Sequence, residues 1–435
     1  MLSSAPATDV YPVQAITKLF FLTFHLFHSM KVVRLKPGKE KSLLRRHPWL
    51  FEGAIAKGKA DPGETVRVES DTGRFLAWGA YSPSSKIKVR VWSFEETDKI
   101  DASFFEAAVA RSVSVRGFFD IKSNGVRLVH AESDGLPGLV VDRYDDILVA
   151  QFMSAGTERW KPVLADALLK ATGCTRLYER SDGGVRNLEG LEPTKGWLRG
   201  GDEKGGTTAV VLQEHDWKLA LDVDLGHKTG YYLDQRDSRH RFSDIVRHRR
   251  FADVLNCYCY TGGFSVAALA GMRAAGMRSG DGHVTSVDSS GPALELARKN
   301  VTLNGFDASD TTWLDADVNA TLRQFDKEGR RFDAIVLDPP KLAPSAAHIE
   351  RAARAYKDIN RFGFKLLKPG GCLFTYSCSG AMGVELFQKV VASAALEAGV
   401  DAFITDRLAG APDHPVGLAF PEGEYLKGLV VMRRP

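Results

Sequence analysis

Two residues near the end of the chain have types and positions that suit chemistry on a planar ring. Cys378 follows the apolar run "CLFTYS", and Asp338 follows the run "FDAIVL" 40 residues earlier. A thiolate can add to C6 of cytosine, which makes C5 nucleophilic enough to accept a methyl group. A carboxyl group at Asp338 could hydrogen-bond the N3/N4 edge of that ring. The alternative for Cys378 is ordinary core packing, because free cysteines are often buried and inert.

The residues after Asp338 form the motif "DPPK". Pro339 and Pro340 prevent further strand pairing and impose an extended backbone, which suits a strand end that holds a carboxylate toward a substrate. Lys341 closes the motif and joins Cys378 and Asp338 in the candidate catalytic set. A loop with an N-capping Asp is the alternative for the motif taken alone.

A glycine turn upstream predicts a cofactor site. The stretch "NCYCYTGGF" follows a buried strand and leads into a helix, so its backbone can approach a ligand closely while the helix offers free N–H groups. Asp288 ends the next strand, 25 residues after Gly263, where it can bind ribose hydroxyls, and Asp315 or Asp317 could read an adenine amine. This order resembles S-adenosylmethionine (SAM) sites of class I methyltransferases. The candidate cofactor residues are Asn256, Tyr260, Thr261, Gly262, Gly263, Phe264, Asp288, Asp317, Asp338 and Pro339.

Strands and helices alternate from about residue 216, which predicts an α/β domain with a mostly parallel, doubly wound sheet. The predicted helices cover residues 291–303, 318–328, 346–366 and 382–398. Ligands of such sheets bind at the carboxyl ends of the strands, where all the candidates above fall.

Two smaller domains are predicted before residue 216. Residues 30–100 contain short alternating runs and 15 Lys/Arg against 9 Asp/Glu, which indicates a basic, β-rich domain that meets phosphates. Residues 101–215 mix helices near 102–116 and 160–171 with strands, as expected of an α+β domain. The segment 193–208, rich in Gly and charge, predicts a solvent-facing loop.

Composition is that of a globular protein with reduced thiols. Five cysteines show neither paired spacing nor a zinc pattern, and Cys257 and Cys259 fit core packing best. The apolar stretch "KLFFLTFHLFHS" is too short to span a membrane. We therefore expect residues 1–29 to be a loose extension or the product of an upstream start codon, and we expect a cytoplasmic protein without metal.

The chain from Met30 onward resembles the RlmI-type bacterial 23S rRNA cytosine-C5 methyltransferases. The resemblance rests on "LKPGKEKSLLRRHPWLFEGAI", "GHKTGYYLDQRDSR", "VLNCYCYTGGFSVAAL", "LDPPK", "YKDIN" and "SCSG". It implies a PUA domain at 30–100, a central α+β domain at 101–215 and a Rossmann-like methyltransferase domain at 216–435. It also implies SAM as methyl donor, 23S rRNA or a precursor of the large ribosomal subunit as partner, and Cys378 as nucleophile.

Further residues are expected to contact the substrate. "YYLDQRDSR" precedes the predicted sheet, and its polar residues could line the pocket of cofactor or base, or brace two domains. The basic run in the first domain predicts an RNA-binding surface, with a solvated helix face as the alternative. The substrate candidates are Tyr232, Asp234, Gln235, Arg236, Pro340, Lys36, Arg45, Arg46 and Trp49. Many RNA cytosine-C5 methyltransferases carry a second Cys after the fourth-strand proline, whereas this chain has Lys341 after its two prolines.

Two other functions stay open on the sequence alone. Asp-Pro-Pro motifs also occur in enzymes that methylate a guanine or adenine nitrogen, and such a reaction needs no cysteine. A non-catalytic RNA-binding factor with a vestigial Rossmann unit is the other option. The oligomeric state also stays open, with a homodimer as one candidate.

Overall fold

The structure is a computed structural model that describes residues 30–201 and 206–435. The extension predicted over residues 1–29 lies outside the described residues. Three sheets and one two-stranded hairpin follow one another along the chain.

The first sheet confirms the β-rich domain predicted at the front of the chain. Its strand order is β2-β6-β5-β4-β1-β3. Alternate side chains point inward, so Val66 and Val68 of one strand are fully buried in the small core. The elements are β1 (Lys31–Leu35), α1 (Lys41–Leu44), β2 (Trp49–Phe51), β3 (Ile55–Lys57), β4 (Thr65–Glu69), β5 (Phe75–Tyr81) and β6 (Ile87–Ser93).

The middle of the chain forms an α+β unit around a five-stranded sheet of order β11-β10-β9-β8-β7. Asp101 starts its first helix by accepting a hydrogen bond from the backbone N–H of Phe104 (3.1 Å). The elements are α2 (Ala102–Val115), β7 (Gly125–His130), β8 (Leu139–Tyr144), β9 (Ile147–Phe152), α3 (Ala155–Arg159), α4 (Lys161–Thr172), β10 (Arg176–Ser181) and β11 (Thr194–Arg199).

The first half of the predicted loop 193–208 is strand β11, so that expectation was wrong there. β11 pairs antiparallel with β10. The Trp197 ring packs edge-on against Tyr178 with 5.0 Å between ring centroids, and Lys195 pairs with Asp224 at 2.8 Å. These contacts outweigh the low strand propensity of the Gly-rich segment. Residues 202–205, the rest of its charged part, lie outside the described residues.

The last sheet has seven strands in the order β16-β15-β14-β17-β18-β20-β19. The five strands from β16 to β18 are parallel, as predicted, and β20 runs antiparallel to both of its neighbours. The strands are β14 (Asp253–Cys257), β15 (His283–Asp288), β16 (Thr311–Asp315), β17 (Phe332–Leu337), β18 (Leu367–Ser377), β19 (Ala402–Leu408) and β20 (Lys427–Arg433). A hairpin of β12 (Ala209–Glu214) and β13 (Trp217–Asp222) spans residue 215, the predicted boundary.

Helices cover both faces of this sheet, so its central strands are buried on both sides. Alternate residues of β17 divide between two cores: Ala334 and Val336 pack into one, and Ile335 and Leu337 into the other. The helices are α5 (Arg236–Arg249), α6 (Gly263–Ala274), α7 (Gly291–Leu303), α8 (Val318–Lys327), α9 (Ile349–Leu366) and α10 (Val384–Glu397). Within the described ranges, no helix combines the length and apolar character needed to cross a bilayer.

Candidate active site

Two of the three candidate catalytic residues, Asp338 and Cys378, lie at the carboxyl ends of neighbouring strands. Leu337 of β17 is aligned with Thr375 of β18, so Asp338 and Cys378 leave the sheet side by side. The Cys378 Sγ lies 3.9 Å from the carbonyl oxygen of Pro339. The structure therefore brings the "DPPK" and "SCSG" segments together, as the parallel order requires.

Cys378 is partly buried, whereas the other four cysteines are buried. Burial, and next the charge of Asp338, raise the pKa of Cys378 to about 11, while Lys228 acts in the opposite direction. The thiol is therefore protonated at neutral pH in the ligand-free protein. Ionisation needs compensating positive charge, so the cations around the thiol determine its reactivity.

Asp338 has an unusual environment for a carboxyl group. Its Oδ2 accepts a hydrogen bond from the Gln235 side-chain amide (3.1 Å). Burial, and next the charge of Asp234, raise the pKa of Asp338 to about 7. Asp338 can therefore gain or lose a proton near neutrality, which is the property required of a general acid or base.

A cation and a tyrosine next to Asp338 were not singled out from the sequence. The Lys228 ammonium binds Asp234 (2.7 Å) and lies 4.3 Å from the Tyr232 ring centroid, and the Tyr425 hydroxyl donates to the same carboxylate (2.6 Å). Burial would raise the pKa of Asp234, but Lys228 and His414 hold it well below its usual range. Lys228 lies in the run "GHKTGYYLDQRDSR", and that motif was the sequence signal that could have identified it as a site residue. Tyr425 lies before a strand that the sequence analysis did not identify.

Several buried acceptors here have no hydrogen-bond partner within the described chain. They are Asp234 Oδ1, Gln235 Oε1 and Thr261 Oγ1. Unpaired buried polar atoms are costly, so these atoms indicate groups that could bind a ligand. The structure places Gln235 against Asp338, and Asp234 and Tyr232 against Lys228, and their role in substrate binding stays a prediction.

The glycine turn forms the cradle that the cofactor prediction requires. Gly262 has a φ of +80°, which favours glycine, and a Cβ on it would lie 2.9 Å from the Ala297 Cβ. A Cβ on Gly263 would lie 2.1 Å from the Tyr231 hydroxyl. In the described part of the chain, no side chain caps the N-terminus of α6, so its first N–H groups can bind a ligand.

We expect Gly263→Ala to lower the affinity for SAM by about tenfold or more, because Tyr231 is buried and the added methyl group overpacks the cradle. Titration calorimetry with SAM measures this. Gly117→Ala is the matched control, since a Cβ there meets no atom within 4 Å and its φ is ordinary. Equal affinities of Gly263→Ala and wild type would contradict the assignment.

The acidic candidates occupy the ends of β15 and β16. Asp288 accepts hydrogen bonds from the backbone N–H groups of Tyr260 (2.8 Å) and Ser290 (3.0 Å), which fixes its carboxylate. Asp317 caps α8 through the N–H of Ala320 (2.8 Å) and, like Asp315, is exposed. The position of Asp288 suits ribose binding. Asp317 is exposed, and its contact with Ala320 supports a helix-capping role. Its predicted contact with an adenine amine stays a prediction.

Two other predicted residues, Phe264 and Asn256, have scaffold contacts, and the remaining ones lie in the "DPPK" loop. The Phe264 ring packs between Phe242 and Tyr376, each 5.8 Å away by centroid, so only its backbone belongs to the cradle. Asn256 is buried and donates to Ser265 Oγ (2.8 Å), which ties β14 to α6. In the "DPPK" loop, Pro339 is buried, whereas Pro340 and Lys341 are exposed.

Arg236 braces two parts of the chain and does not face the site. Its guanidinium binds Asp413 (2.8 Å) and the Gly125 carbonyl (3.2 Å), and both charged side chains are at most 1% exposed. This differs from the substrate role expected from its motif and matches the brace considered beside it. Asp413 also accepts from the backbone N–H of Arg127 (2.9 Å), which links the middle unit to the last domain.

We expect Arg236→Ala to lower the free energy of unfolding by about 3–5 kcal/mol, because it leaves the Asp413 carboxylate buried without its partner. Denaturant titration measures the change. Arg241→Ala, on the same helix with an exposed partner, is expected to cost about 1 kcal/mol or less. Equal costs for the two variants would contradict the brace.

The substrate candidates of the first domain divide into two groups. Trp49 lies at an interface: its indole N–H donates to Glu132 (2.8 Å), and its ring packs edge-on against Phe420 with 4.8 Å between centroids. This differs from the expected RNA contact. Lys36, Arg45 and Arg46 are exposed and remain candidates for phosphate contact.

A cavity of about 490 Å³ adjoins the site and extends onto the middle unit. Two of the lining residues interact electrostatically with the thiol: the charge of Lys228 lowers the pKa of Cys378, and the charge of Cys378 raises the pKa of Tyr232. The cavity and the thiol are therefore neighbours. Its lining includes Arg180, Lys195, Asp224, His227, Lys228 and Tyr232.

Comparisons with known proteins identify the family of this chain. A family model described as S-adenosylmethionine-dependent methyltransferase matches residues 194–423, and a PUA-like domain model matches residues 33–94. Curated proteins named ribosomal RNA large subunit methyltransferase I are 47% identical in Shewanella amazonensis and 48% in Pseudoalteromonas translucida. Each alignment covers 92% of this chain and 98% of the relative. The chain belongs to the ribosomal RNA large subunit methyltransferase I family.

The enzyme is therefore a SAM-dependent methyltransferase, and SAM is its cofactor. Family membership excludes the non-catalytic factor considered from the sequence. Its fold is shared by SMU.776, solved in complex with S-adenosylhomocysteine, with a TM-score of 0.78 and 20% identity over 93% of this chain and all of that chain. A candidate SAM-dependent methyltransferase from Streptococcus mutans gives a TM-score of 0.77 at 20% identity, with the same coverage.

Proposed function

We propose that this enzyme methylates C5 of a cytosine in 23S rRNA through a covalent bond between Cys378 and C6. The observation that carries the proposal is the pairing of a thiol with a carboxyl of pKa about 7 on adjacent strand ends. Its relatives are named as methyltransferases of large-subunit ribosomal RNA, which supports 23S rRNA, or its precursor particle, as the substrate. An enzyme with this substrate acts in the bacterial cytoplasm.

The reaction begins at the ring. The Cys378 thiolate forms an Sγ–C6 bond while Asp338, in its protonated form, gives its proton to N3, so that electron density moves to C5. SAM, which the glycine turn and Asp288 would hold, would supply an electrophilic methyl group to C5 and leave as S-adenosylhomocysteine. A base then removes the C5 proton, the C6–Sγ bond breaks to regenerate the thiolate, and the N3 proton returns to Asp338.

Recognition of cytosine follows from the polar atoms around Asp338. The exocyclic N4 amine of cytosine donates two hydrogen bonds, and N3 accepts one. Gln235 Oε1 and Asp234 Oδ1 are buried acceptors without partners in the described chain, and a protonated Asp338 is a donor. Uracil presents the opposite pattern at these positions, so these groups favour cytosine.

The target base must leave its stack to reach Cys378, because the thiol lies below the surface. The adjoining cavity contributes Arg180, Lys195 and Lys228 toward a phosphate backbone and Tyr232 toward a base. These features support single-stranded or opened rRNA as the bound form.

One observation favours a second candidate, methylation of a guanine or adenine nitrogen. The pKa of Cys378 is raised to about 11, so the ligand-free enzyme holds a thiol, and a nitrogen nucleophile would not need the thiolate. Gln235 and Asp338 could also bind an amine-bearing purine.

Bisulfite sequencing of 23S rRNA from cells with and without the gene tests the proposed function. Methylation at C5 protects cytosine from conversion, so we expect one protected cytosine to be lost when the gene is absent. If every protected cytosine persists while total rRNA methylation falls, the second candidate is favoured.

A further inference from the structure

Lys427 is a buried cation directly beside the catalytic loop. It begins β20 and is aligned with Ser377 of β18, one residue before Cys378. Its residue surface is 5% exposed, and its ammonium donates to the backbone carbonyl of Ser379 (2.9 Å). Lys427 therefore binds the backbone of Ser379, which follows Cys378, and is aligned with Ser377, which precedes Cys378.

Within the described ranges, the Lys427 ammonium forms no ion pair, and Glu424 acts on its charge only from a longer distance. Among residues 30–201 and 206–435, no acidic oxygen lies within 4 Å of its ammonium, and the Ser379 carbonyl is its only hydrogen-bond acceptor. Lysine is almost never this buried unless it is paired, because an uncompensated ammonium in the interior is costly. An anion that forms during the reaction would offset that cost.

The charged groups around the thiol show why this cation differs from the others. Lys228 is already bound to Asp234 at 2.7 Å, which takes up much of its charge. Asp338 and Asp234 oppose ionisation of the thiol. The charged and titratable groups that face Cys378 or Lys427 are Lys228, Tyr232, Asp234, Asp338, Lys341, Tyr356 and Glu424.

We propose that Lys427 is a positioning residue whose ammonium holds the Cys378 loop and stabilises the Cys378 thiolate. When Sγ ionises, its proton passes to water, and the new negative charge forms between Ser377, with which Lys427 is aligned, and Ser379, whose carbonyl binds the ammonium. When the thiolate adds to C6, that negative charge leaves the sulfur. This inference rests on the proposed nucleophilic role of Cys378 and identifies a group that makes it possible.

Alkylation of Cys378 by iodoacetamide tests the inference without RNA or SAM. Only the thiolate reacts, so the rate from about pH 6 to about pH 9.5 follows ionisation of the thiol. Peptide mass spectrometry resolves Cys378 from Cys174, Cys257, Cys259 and Cys372, which are buried and report on folding.

Lys427→Gln keeps a donor for the Ser379 carbonyl and removes the charge. We expect it to slow alkylation of Cys378 about tenfold at pH 8, which corresponds to one pKa unit, and Lys427→Arg to stay within about threefold of wild type. The matched control is Lys389→Gln, an exposed lysine paired with Glu385. Equal rates and pH profiles for Lys427→Gln and wild type would overturn the proposal.

Two further variants keep the test decisive. If Lys427→Gln exposes the buried cysteines, Lys427→Met replaces the buried stem without a charge and should give the same slow alkylation in a folded protein. If neither of these variants folds, Lys427→Arg decides: alkylation of Cys378 within about threefold of wild type supports the role of the charge, and alkylation about tenfold slower in a folded Lys427→Arg protein overturns it. Loss of methyl transfer in Cys378→Ala is a separate result, so failure of the proposed function and of this inference can be distinguished.

Discussion

Replacing Cys378 with Ala is expected to reduce methyl transfer to rRNA by at least about 10³-fold while leaving SAM affinity within about twofold of wild type. The thiol supplies the bond to C6 that makes C5 nucleophilic, and no other described cysteine is accessible to replace it. The change removes one polarisable atom from a partly buried position, so the cofactor cradle on β14 and α6 is unaffected. Single-turnover transfer of a labelled methyl group measures the loss.

Cys174→Ala is the matched control, because Cys174 lies in the core of the middle unit. We expect it to keep wild-type turnover. Methyl transfer by Cys378→Ala at the wild-type rate would eliminate the covalent route and leave methylation of a base nitrogen as the explanation. The same assay therefore separates the two candidate functions.

The second large effect concerns Asp338 and pH. The proposed reaction requires Asp338 protonated and Cys378 ionised, with pKa values of about 7 and about 11. Below pH 7, Asp338 stays protonated, so the rate rises about tenfold per unit with the thiolate fraction. Above pH 7, loss of the Asp338 proton cancels that rise, and the profile becomes level. We expect Asp338→Asn to lower kcat by about 10²-fold and to remove the break near pH 7.

The pH dependence of kcat/KM from about pH 5.5 to about pH 9 tests the acid role, because this range extends to both sides of the pKa of Asp338. Asp401→Asn, whose exposed carboxylate pairs with Arg434, should keep both the rate and the break. A break that persists in Asp338→Asn would assign it to another group and contradict the acid role.

Local patterns predicted the elements of the last domain well. The predicted helix at 291–303 is α7 itself, and the predicted 318–328 differs from α8 by one residue. Buried parallel strands give continuous apolar runs, and Ser290 and Asp317 cap the following helices, so each boundary has a local cause. Because β17 and β18 are neighbouring parallel strands, the residues that follow them, Asp338 and Cys378, could be predicted to lie side by side from the sequence alone.

Contacts between distant segments could not be predicted in this way. β19 and β20 pair antiparallel at the end of the sheet, and the sequence analysis did not identify them. Lys427 was consequently missed, since its burial depends on pairing with β18. The brace between Arg236 and Asp413 joins residues 177 apart, and no local signal distinguishes it from a substrate contact.

Trapping with 5-fluorocytidine in a 23S rRNA transcript tests the central claim most directly. Fluorine replaces the C5 proton that must leave before the C6–Sγ bond can break, so reaction with SAM should stop at a covalent complex. We expect a denaturation-resistant protein–RNA complex whose methylated nucleotide is attached to the Cys378 peptide in mass spectrometry. Cys378→Ala should form none. Methyl transfer to the rRNA without any covalent complex, or an adduct at another residue, would contradict the account.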